Sequence, residues 1–527
     1  MLLETLVSAS EAVEATPKRR QKVGRLAECL RSAGSDAAIC VAFLCGDLRQ
    51  GKLGIGYSTL QAARPERAAE HATLSLGEVD AEFEALVHTQ GKGSKTERAR
   101  RLHQLLARCT EREQRFLLKL ITGELRQGAL EAILVEAVAE ATGVPAHALR
   151  RAVMFAGDLR QVATSVLDEG PGALSHFRLQ LFQPVRPMLA QTASDLEEAL
   201  GQLGEASAEY KLDGARVQIH KSDSDVRIYS RQLNDITSSM PEVVELARNV
   251  PARQLVLDGE VIALTPEGRP LPFQVTMRRV GRKLQVTEQR AELPLSVFLF
   301  DVLHRDGEDL VDTSYADRLP HLDGVTSPQS AAWRSVPRLL RPTEAELTEF
   351  AGRALEAGHE GVMVKALGAE YQAGRRGASW LKVKPVHTLD LVVLAAEWGS
   401  GRRKGWLSNL HLGARDAEQG GFVMLGKTFK GLTDALLTYQ TAELLKREIS
   451  RDAYTVYVKP ELVVEIAFDG LQASPHYPGG LALRFARVRR YRSDKSADAA
   501  DTIETVRKLY QPRLHQPGHS QSPSSDA

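Results

Sequence analysis

The strongest constraint on how this chain folds is a change in the period of its apolar residues near residue 180. Before it, "ERARRLHQLLARCTEREQRFLLKLITGEL" and "LEAILVEAVAEATG" repeat apolar residues at the spacing of one helix face. The glycines and prolines of "DEGPGALSHFRLQLFQPVRP" (168–187) then read as a linker. Beyond it, "ARVQIHK", "VRIYSRQ", "QLVLDGEVIAL", "LPLSVFLFDVLH" and "EGVMVKAL" are short strand-like runs alternating with helical stretches. A third region runs "LDLVVLAAEW", "LSNLHLGARD", "GFVMLGKTFK", the helix-like "LTDALLTYQTAELLKREI", "ELVVEIAFDGL" and "ALRFARVRRYR". Three strands, a helix and two strands is the order of a small five-stranded barrel of the OB type. A length of 527 residues exceeds what one core supports. The expected architecture is therefore multidomain: an all-α first domain (1–180), an α/β (α+β) body (185–385), an OB-type β-barrel (386–510) and a disordered polar tail (511–527).

Within the helical part a phrase recurs, "GDLRQG" from Gly46, "GELRQG" from Gly123 and "GDLRQV" from Gly157, at separations too uneven for a solenoid. It points to similar turn-plus-helix units. Cys29, Cys40, Cys45 and Cys109 lie in apolar runs without zinc-site spacing and read as reduced core residues, in keeping with a cytosolic, cytoplasmic protein. The start "MLLETLVSAS" lacks a positively charged leader, and the longest apolar run, "AAICVAFLC", is too short for a bilayer, so no membrane is expected. A net charge of +1 neither favours nor excludes nucleic acid, since one basic face suffices. The basic runs "MRRVGRK" and "GSGRRKG" read first as solvated surfaces.

One motif match is rejected. "GFVMLGKT" (Gly421 to Thr428) has the letters of a phosphate-binding loop, but that loop follows a strand and opens a helix, whereas here the apolar residues are themselves the strand. Bulky side chains also leave no room for backbone amides to wrap a phosphate.

The informative stretch is "EYKLDGARVQIH" (209–220), which places Lys211, Asp213 and Arg216 together at a strand end. A lysine with an ordinary pKa of about 10.4 is a poor nucleophile at neutral pH. Desolvation and cationic neighbours can activate it. An amine so activated can attack the α-phosphate of a nucleoside triphosphate, with basic groups and a metal holding the charge that grows as pyrophosphate leaves. Such a site needs a lysine, further basic groups on the phosphates, carboxylates for metal and ribose, and an aromatic face for the base. The body contains each type.

"KLDG-R" resembles the nucleophile motif of covalent nucleotidyltransferases, and in particular of ATP-dependent DNA ligases of the compact three-domain bacterial and archaeal type. Further motifs follow in the family's order: "SRQLND" around Arg231, "LDGE" ending at Glu260, "LFDVL" with Phe300, "EGVMVK" from Glu360, "GRRGASWLKVKP" with Arg376, Lys382 and Lys384, and "RFARVRRYRSDK" ending at Lys495. The resemblance covers nearly the whole chain. It implies that Lys211 becomes adenylated and that Glu209 and Arg216 line the nucleotide pocket. It also implies that Arg231 and Glu260 hold phosphate and ribose and that Phe300 stacks on adenine. Arg376 and Lys382 would grip the triphosphate with Lys384 in support, and Glu260 and Glu360 would face the metal. Arg484, Arg487, Asp494 and Lys495 match the segment that orients pyrophosphate. Ala486 stands where the family usually has proline. ATP as cosubstrate, Mg2+ as the ion and nicked double-stranded DNA as partner follow from the resemblance. The protein would act as a monomer, closing on the sugar-phosphate backbone rather than reading bases.

Taken singly, these residues have ordinary explanations. Phe300 in an apolar strand reads as core, and Glu260 and Arg231 as strand-end or solvated charges. Their joint order is what argues against that. RNA ligases and capping-type guanylyltransferases share the lysine chemistry, and a non-catalytic DNA-end binding scaffold is a rival of another class. The helical first domain and "WLKVKP" favour a DNA ligase, and no cysteine-rich zinc module of the NAD-dependent type is present.

Overall fold

The structure, a computed structural model, describes residues 1–51, 53–125, 131–281, 286–326, 332–373 and 376–510. It divides into two compact units, Met1–Val383 and Lys384–Ala527. The tail expected over 511–527 lies outside the described residues.

The first unit begins with helices from Leu3–Glu14 through Leu159–Glu169, packed on one core that includes Leu26, Val41, Phe43, Phe83, Leu117 and Val138. Their starts are set by local chemistry: Ser75 with Glu78 and Thr110 with Glu113 form reciprocal capping boxes. The recurring glycines are turn residues. Gly46 and Gly157 end helices Ala37–Cys45 and Ala146–Ala156 in the left-handed conformation, with φ of 78° and 73°. After Gly157, Asp158 caps the next helix by accepting from the Arg160 amide. In the second copy, 126–128 lie outside the described residues. All four cysteines are free, and Cys29 and Cys40 place their sulfurs 3.9 Å apart in the core.

The rest of this unit holds two sheets. Its strands are β1 (Leu189–Thr192), β2 (Ala206–Tyr210), β3 (Ala215–Ser222), β4 (Asp225–Ser230), β5 (Gln254–Ala263), β6 (Leu295–Arg305), β7 (Glu308–Asp309), β8 (Trp333–Ser335), β9 (Arg338–Leu340), β10 (Val362–Ala366) and β11 (Arg376–Val383). One five-stranded sheet has the order β1-β11-β10-β2-β9, and a six-stranded sheet runs β4-β3-β5-β6-β7 with β8 alongside β6. Met154 and Phe155, at the end of helix Ala146–Ala156, pack into a core shared with Val185, Val256, Leu303, Tyr371 and Trp380. The helical segment and the body are thus joined by burial as well as by the linker. "MRRVGRK" is not simply a solvated face: Arg279 is fully buried, donating to Glu242 at 2.7 Å and to the Ser239 carbonyl, while Arg282 and Lys283 lie outside the described residues.

The second unit contains β12 (His387–Trp398), β13 (Leu407–Arg415), β14 (Phe422–Thr428), β15 (Glu448–Arg451), β16 (Thr455–Val458), β17 (Val463–Phe468), β18 (Gly470–Ala473), β19 (Leu481–Arg484) and β20 (Arg487–Tyr491). Helix Asp434–Lys446 follows the third strand, as expected, but more strands come after it than the apolar pattern indicated. The seven-stranded sheet runs β14-β13-β12-β16-β15, with β17 paired to both β12 and β20, and β18 and β19 form a separate hairpin. The lookalike phosphate loop is strand β14, and its Lys427 pairs with Glu397. The run "ALRFARVRRYR" breaks in two because Phe485 adopts φ 55°. The turn is pinned there without proline: Thr428 donates to the Ala486 carbonyl at 2.6 Å, and Gly431 approaches so closely that a Cβ would sit 2.1 Å from the Val488 carbonyl.

Among the described residues no helix is long and apolar enough to cross a membrane.

Candidate active site

Strand register places the relevant residues on facing surfaces. In the five-stranded sheet, Glu209, Met363 and Lys382 are direct cross-strand partners, and so are Ser207, Lys365 and Trp380 two positions along. Paired residues and their second neighbours share a face, so Glu209, Lys365, Trp380 and Lys382 lie on one side. In the other sheet Arg216 pairs with Glu260 and Gln218 with Asp258, again on one face.

Lys211 stands just past the end of β2. Its amide donates to the Gly361 carbonyl at 2.8 Å and its carbonyl accepts from the Glu360 amide at 3.0 Å, so the ladder extends to the lysine and sets it beside Glu360. The Lys211 ammonium donates directly to the Glu360 carboxylate. The glycine of "KLDG" is required by close approach: a Cβ on Gly214 would lie 2.2 Å from Ile262 and 2.4 Å from the Val261 carbonyl. That approach lets the Gly214 amide donate to Glu260 at 3.1 Å. Burial lifts the Glu260 carboxyl to about 7, with Lys211 and Arg216 pulling the other way.

Arg216 is gripped from several sides. Nε and Nη2 donate to the two oxygens of Asp258 at 2.9 and 2.5 Å, Nη1 donates to the Met188 carbonyl at 2.6 Å, and the guanidinium lies 5.3 Å from the centre of the Phe300 ring. Burial opposes its charge, but Asp258 outweighs this and holds its pKa above the usual arginine value. Phe300 is half-buried, edge-on to Trp380, so it is neither plain core nor plain surface.

Glu209 is buried. It accepts from the Tyr315 hydroxyl and pairs with Lys365 at 2.6 Å, while the Lys365 ammonium sits 4.4 to 4.7 Å from the ring centres of Trp380, Phe300 and Tyr315. Burial and the neighbouring Glu209 push the Tyr315 phenol well up, so it stays a donor.

The remaining expected residues are distributed differently. Lys382 is half-buried on the face that carries Glu209. Arg376 opens β11, but its side chain lies outside the described residues. Arg231 is exposed in the turn after β4. Lys384 begins the second unit and there pairs with Asp469 at 2.5 Å, as Arg487 does at 2.9 Å; Lys495 and Arg492 share Asp390. Sequence reasoning gave no role to Asp258, Tyr315, Lys365, Tyr371 or Trp380. For Asp258, Lys365 and Trp380 a signal existed, since they sit inside "LDGE", "EGVMVK" and "WLKVKP"; the tyrosines have none. Among the described residues no three acidic, His or Cys side chains cluster as a ready-made metal cage. Magnesium is commonly held by one or two carboxylates plus substrate phosphates, and Glu260 and Glu360 beside Lys211 suit that arrangement.

Comparison with known proteins shows the family of the chain. Residues 59–137 match the family model for the DNA ligase N terminus, 187–384 that for the ATP dependent DNA ligase domain, and 403–495 that for the ATP dependent DNA ligase C terminal region. The chain is 56% identical over 513 residues to a probable DNA ligase of Anaeromyxobacter sp. (strain Fw109-5), covering 97% of this chain and 98% of that one. The chain belongs to the ATP-dependent DNA ligase family. A probable DNA ligase of Mycolicibacterium paratuberculosis (strain ATCC BAA-968 / K-10) is 52% identical to this ligase over 515 residues, covering 97% of this chain and 98% of that one. The ligase also shares its fold with the solved structure titled Pmar-Lig_Pre., at TM-score 0.63 and 19% identity, over 93% of this chain and 99% of that one. Ligases of this family pass AMP through a lysyl intermediate to DNA before the strands are joined.

Proposed function

We propose that this ligase seals nicks in duplex DNA with Lys211 as the carrier of AMP. The observation behind this reading is the contact between the Lys211 ammonium and Glu360 on one side and the nearby Glu260 on the other, with Glu260 next to Arg216, Arg216 over the Phe300 ring, and Phe300 beside the Lys365–Glu209 pair. Lys211 must lose a proton before it attacks, and the Glu360 carboxylate already accepts its hydrogen bond. The N–P bond then forms at the α-phosphorus as the bond to pyrophosphate breaks. AMP moves next to the 5′-phosphate at the nick, returning the free lysine, and the 3′-hydroxyl displaces AMP to close the strand.

Arg216 and Glu260 would meet the ribose and phosphates, and Phe300 the base. Lys382, with Arg376, would meet the triphosphate. A magnesium ion held by Glu260 and Glu360 with phosphate oxygens would neutralise charge on the group being transferred. Glu260, lifted to about 7, would ionise when that cation arrives, so metal affinity should weaken as pH falls below neutrality.

Incubation with α-labelled ATP followed by denaturing electrophoresis tests the central step. The wild-type chain should keep the label and Lys211→Ala should lose it; label on Lys211→Ala protein rejects the assignment. As a monomer bound to about six to ten backbone phosphates, the ligase should lose about a thousandfold or more in nick affinity between about 50 and 200 mM salt.

A further inference from the structure

Arg216 and its partner Asp258 lie on the six-stranded sheet, whereas Tyr371 lies on the segment that leads into β11 of the other sheet. The Tyr371 hydroxyl sits where the two meet. It donates to Asp258 Oδ2 at 2.7 Å and accepts from the Met188 amide at 3.1 Å and from Arg216 Nη2 at 3.3 Å. A tyrosine hydroxyl has one donor and two acceptor sites, and all three are used. The ring itself is 2% exposed and edge-on to Trp380. A phenylalanine would fill this space equally well, so packing alone gives no reason for the oxygen.

We propose that Tyr371 is a positioning residue that fixes Arg216 for the nucleotide, its hydroxyl bolting one sheet to the other across Asp258. Arg216 has five N–H donors. Two go to Asp258, one to the Met188 carbonyl and one to Tyr371, which leaves a single Nη1 hydrogen to offer a ligand. Because Asp258 holds the guanidinium as a bidentate fork, any rotation of that carboxylate rotates the arginine with it. The hydroxyl blocks that rotation. The same segment continues into β11, which carries Arg376 and Lys382, so Tyr371 also sets Arg216 relative to the basic strand of the opposite sheet.

This inference rests on the adenylation reading. The experiment measures labelling of Lys211 against ATP concentration in wild-type, Tyr371→Phe, Arg216→Ala and doubly substituted chains. Tyr371→Phe should raise the half-saturating ATP concentration about five- to tenfold, the effect of one buried hydrogen bond in a charged network, with the maximal rate within about twofold. In the Arg216→Ala background the same change should add nothing. A purely structural tyrosine would instead lower the plateau, as the folded fraction falls, without moving the half-saturation. An unchanged half-saturation in Tyr371→Phe, or an undiminished effect without Arg216, overturns the proposal. If Tyr371→Phe does not fold, Asp258→Asn carries the test: it keeps the shape while weakening the grip, and should move half-saturation in the same direction. A wild-type chain that takes no label removes the adenylation reading and this proposal with it, whereas a labelled wild type with unmoved variants removes only the latter.

Discussion

The Lys211 site and the last motif both pair basic side chains with carboxylates, but to different depths. At the Lys211 site, Lys365 and Glu209 are 1% and 3% exposed, and Arg216 and Asp258 14% and 1%. In the second unit the carboxylates Asp469 and Asp390 are 14% and 9% exposed, but two of their cations are more open, Arg487 at 38% and Lys495 at 34%. Buried pairs fix geometry because breaking them strands a charge away from water; half-exposed pairs are worth little and exchange readily. The first region, which we propose holds the nucleotide, has its cations fixed in place. The second leaves its cations more open to exchange, which suits the pyrophosphate contact that the resemblance implies.

The sharpest way to break this contrast is Lys365→Met. It leaves Glu209 buried with only the Tyr315 hydroxyl and should cost about 3 to 5 kcal/mol of stability, read by denaturant unfolding. A loss below about 1 kcal/mol would place the Lys365–Glu209 pair in the same class as surface pairs. Glu260 should give the next largest effect, with a sign set by its raised pKa. Its carboxyl is lifted to about 7, so between roughly pH 4.5 and 7 the folded chain binds more protons than the unfolded one. Stability therefore falls as pH rises through that window, and the penalty is complete above it. Glu260→Gln should stabilise the chain by up to about 3 kcal/mol at pH 8 and hardly at all at pH 4, while weakening nucleotide use. Thermal unfolding at the two pH values checks the sign.

How far the sequence revealed these two regions also differs. The period change and the ordered motifs were enough to anticipate the helical segment and the body, and the structure links Lys211, Glu360, Glu260, Arg216, Phe300 and Glu209 through successive side-chain contacts. The partners that hold these residues were not legible. Tyr315 and Tyr371 lie over a hundred positions from the carboxylates they serve, and no local pattern links them. In the second unit the hairpin of β15 and β16 was missed because its edge strand, "EISR", is polar and runs on from a helix-like stretch. The break at Phe485 was hidden because a positive φ at phenylalanine has no sequence signature. Lys384 was grouped with Lys382 by the resemblance of "GRRGASWLKVKP", yet the division between units falls directly before it, and its partner is Asp469.

Arg487→Ala and Lys495→Ala probe the exchangeable side. Each should change stability by less than about 1 kcal/mol, since half-exposed pairs contribute little. Each should also block labelling of Lys211 while sparing the sealing of a nick supplied already adenylated. Equal loss in both assays would show that these cations serve throughout rather than at the first step.

The smallest expected effect belongs to Asp469→Asn. Among the described residues Asp469 is the carboxylate that Lys384 and Arg487 share, so it competes for the same cations that a departing pyrophosphate would need. Removing its charge should raise the rate of Lys211 labelling at limiting ATP by about two- to threefold, because Arg487 no longer has to be drawn from a rival anion. At saturating ATP the difference should vanish, since the triphosphate then wins the competition unaided. A fall in labelling at both concentrations would mean that Asp469 orients Arg487 for its task. The last motif would then be preorganised like the Lys211 site, and the distinction between fixed and exchangeable pairs would not describe this ligase.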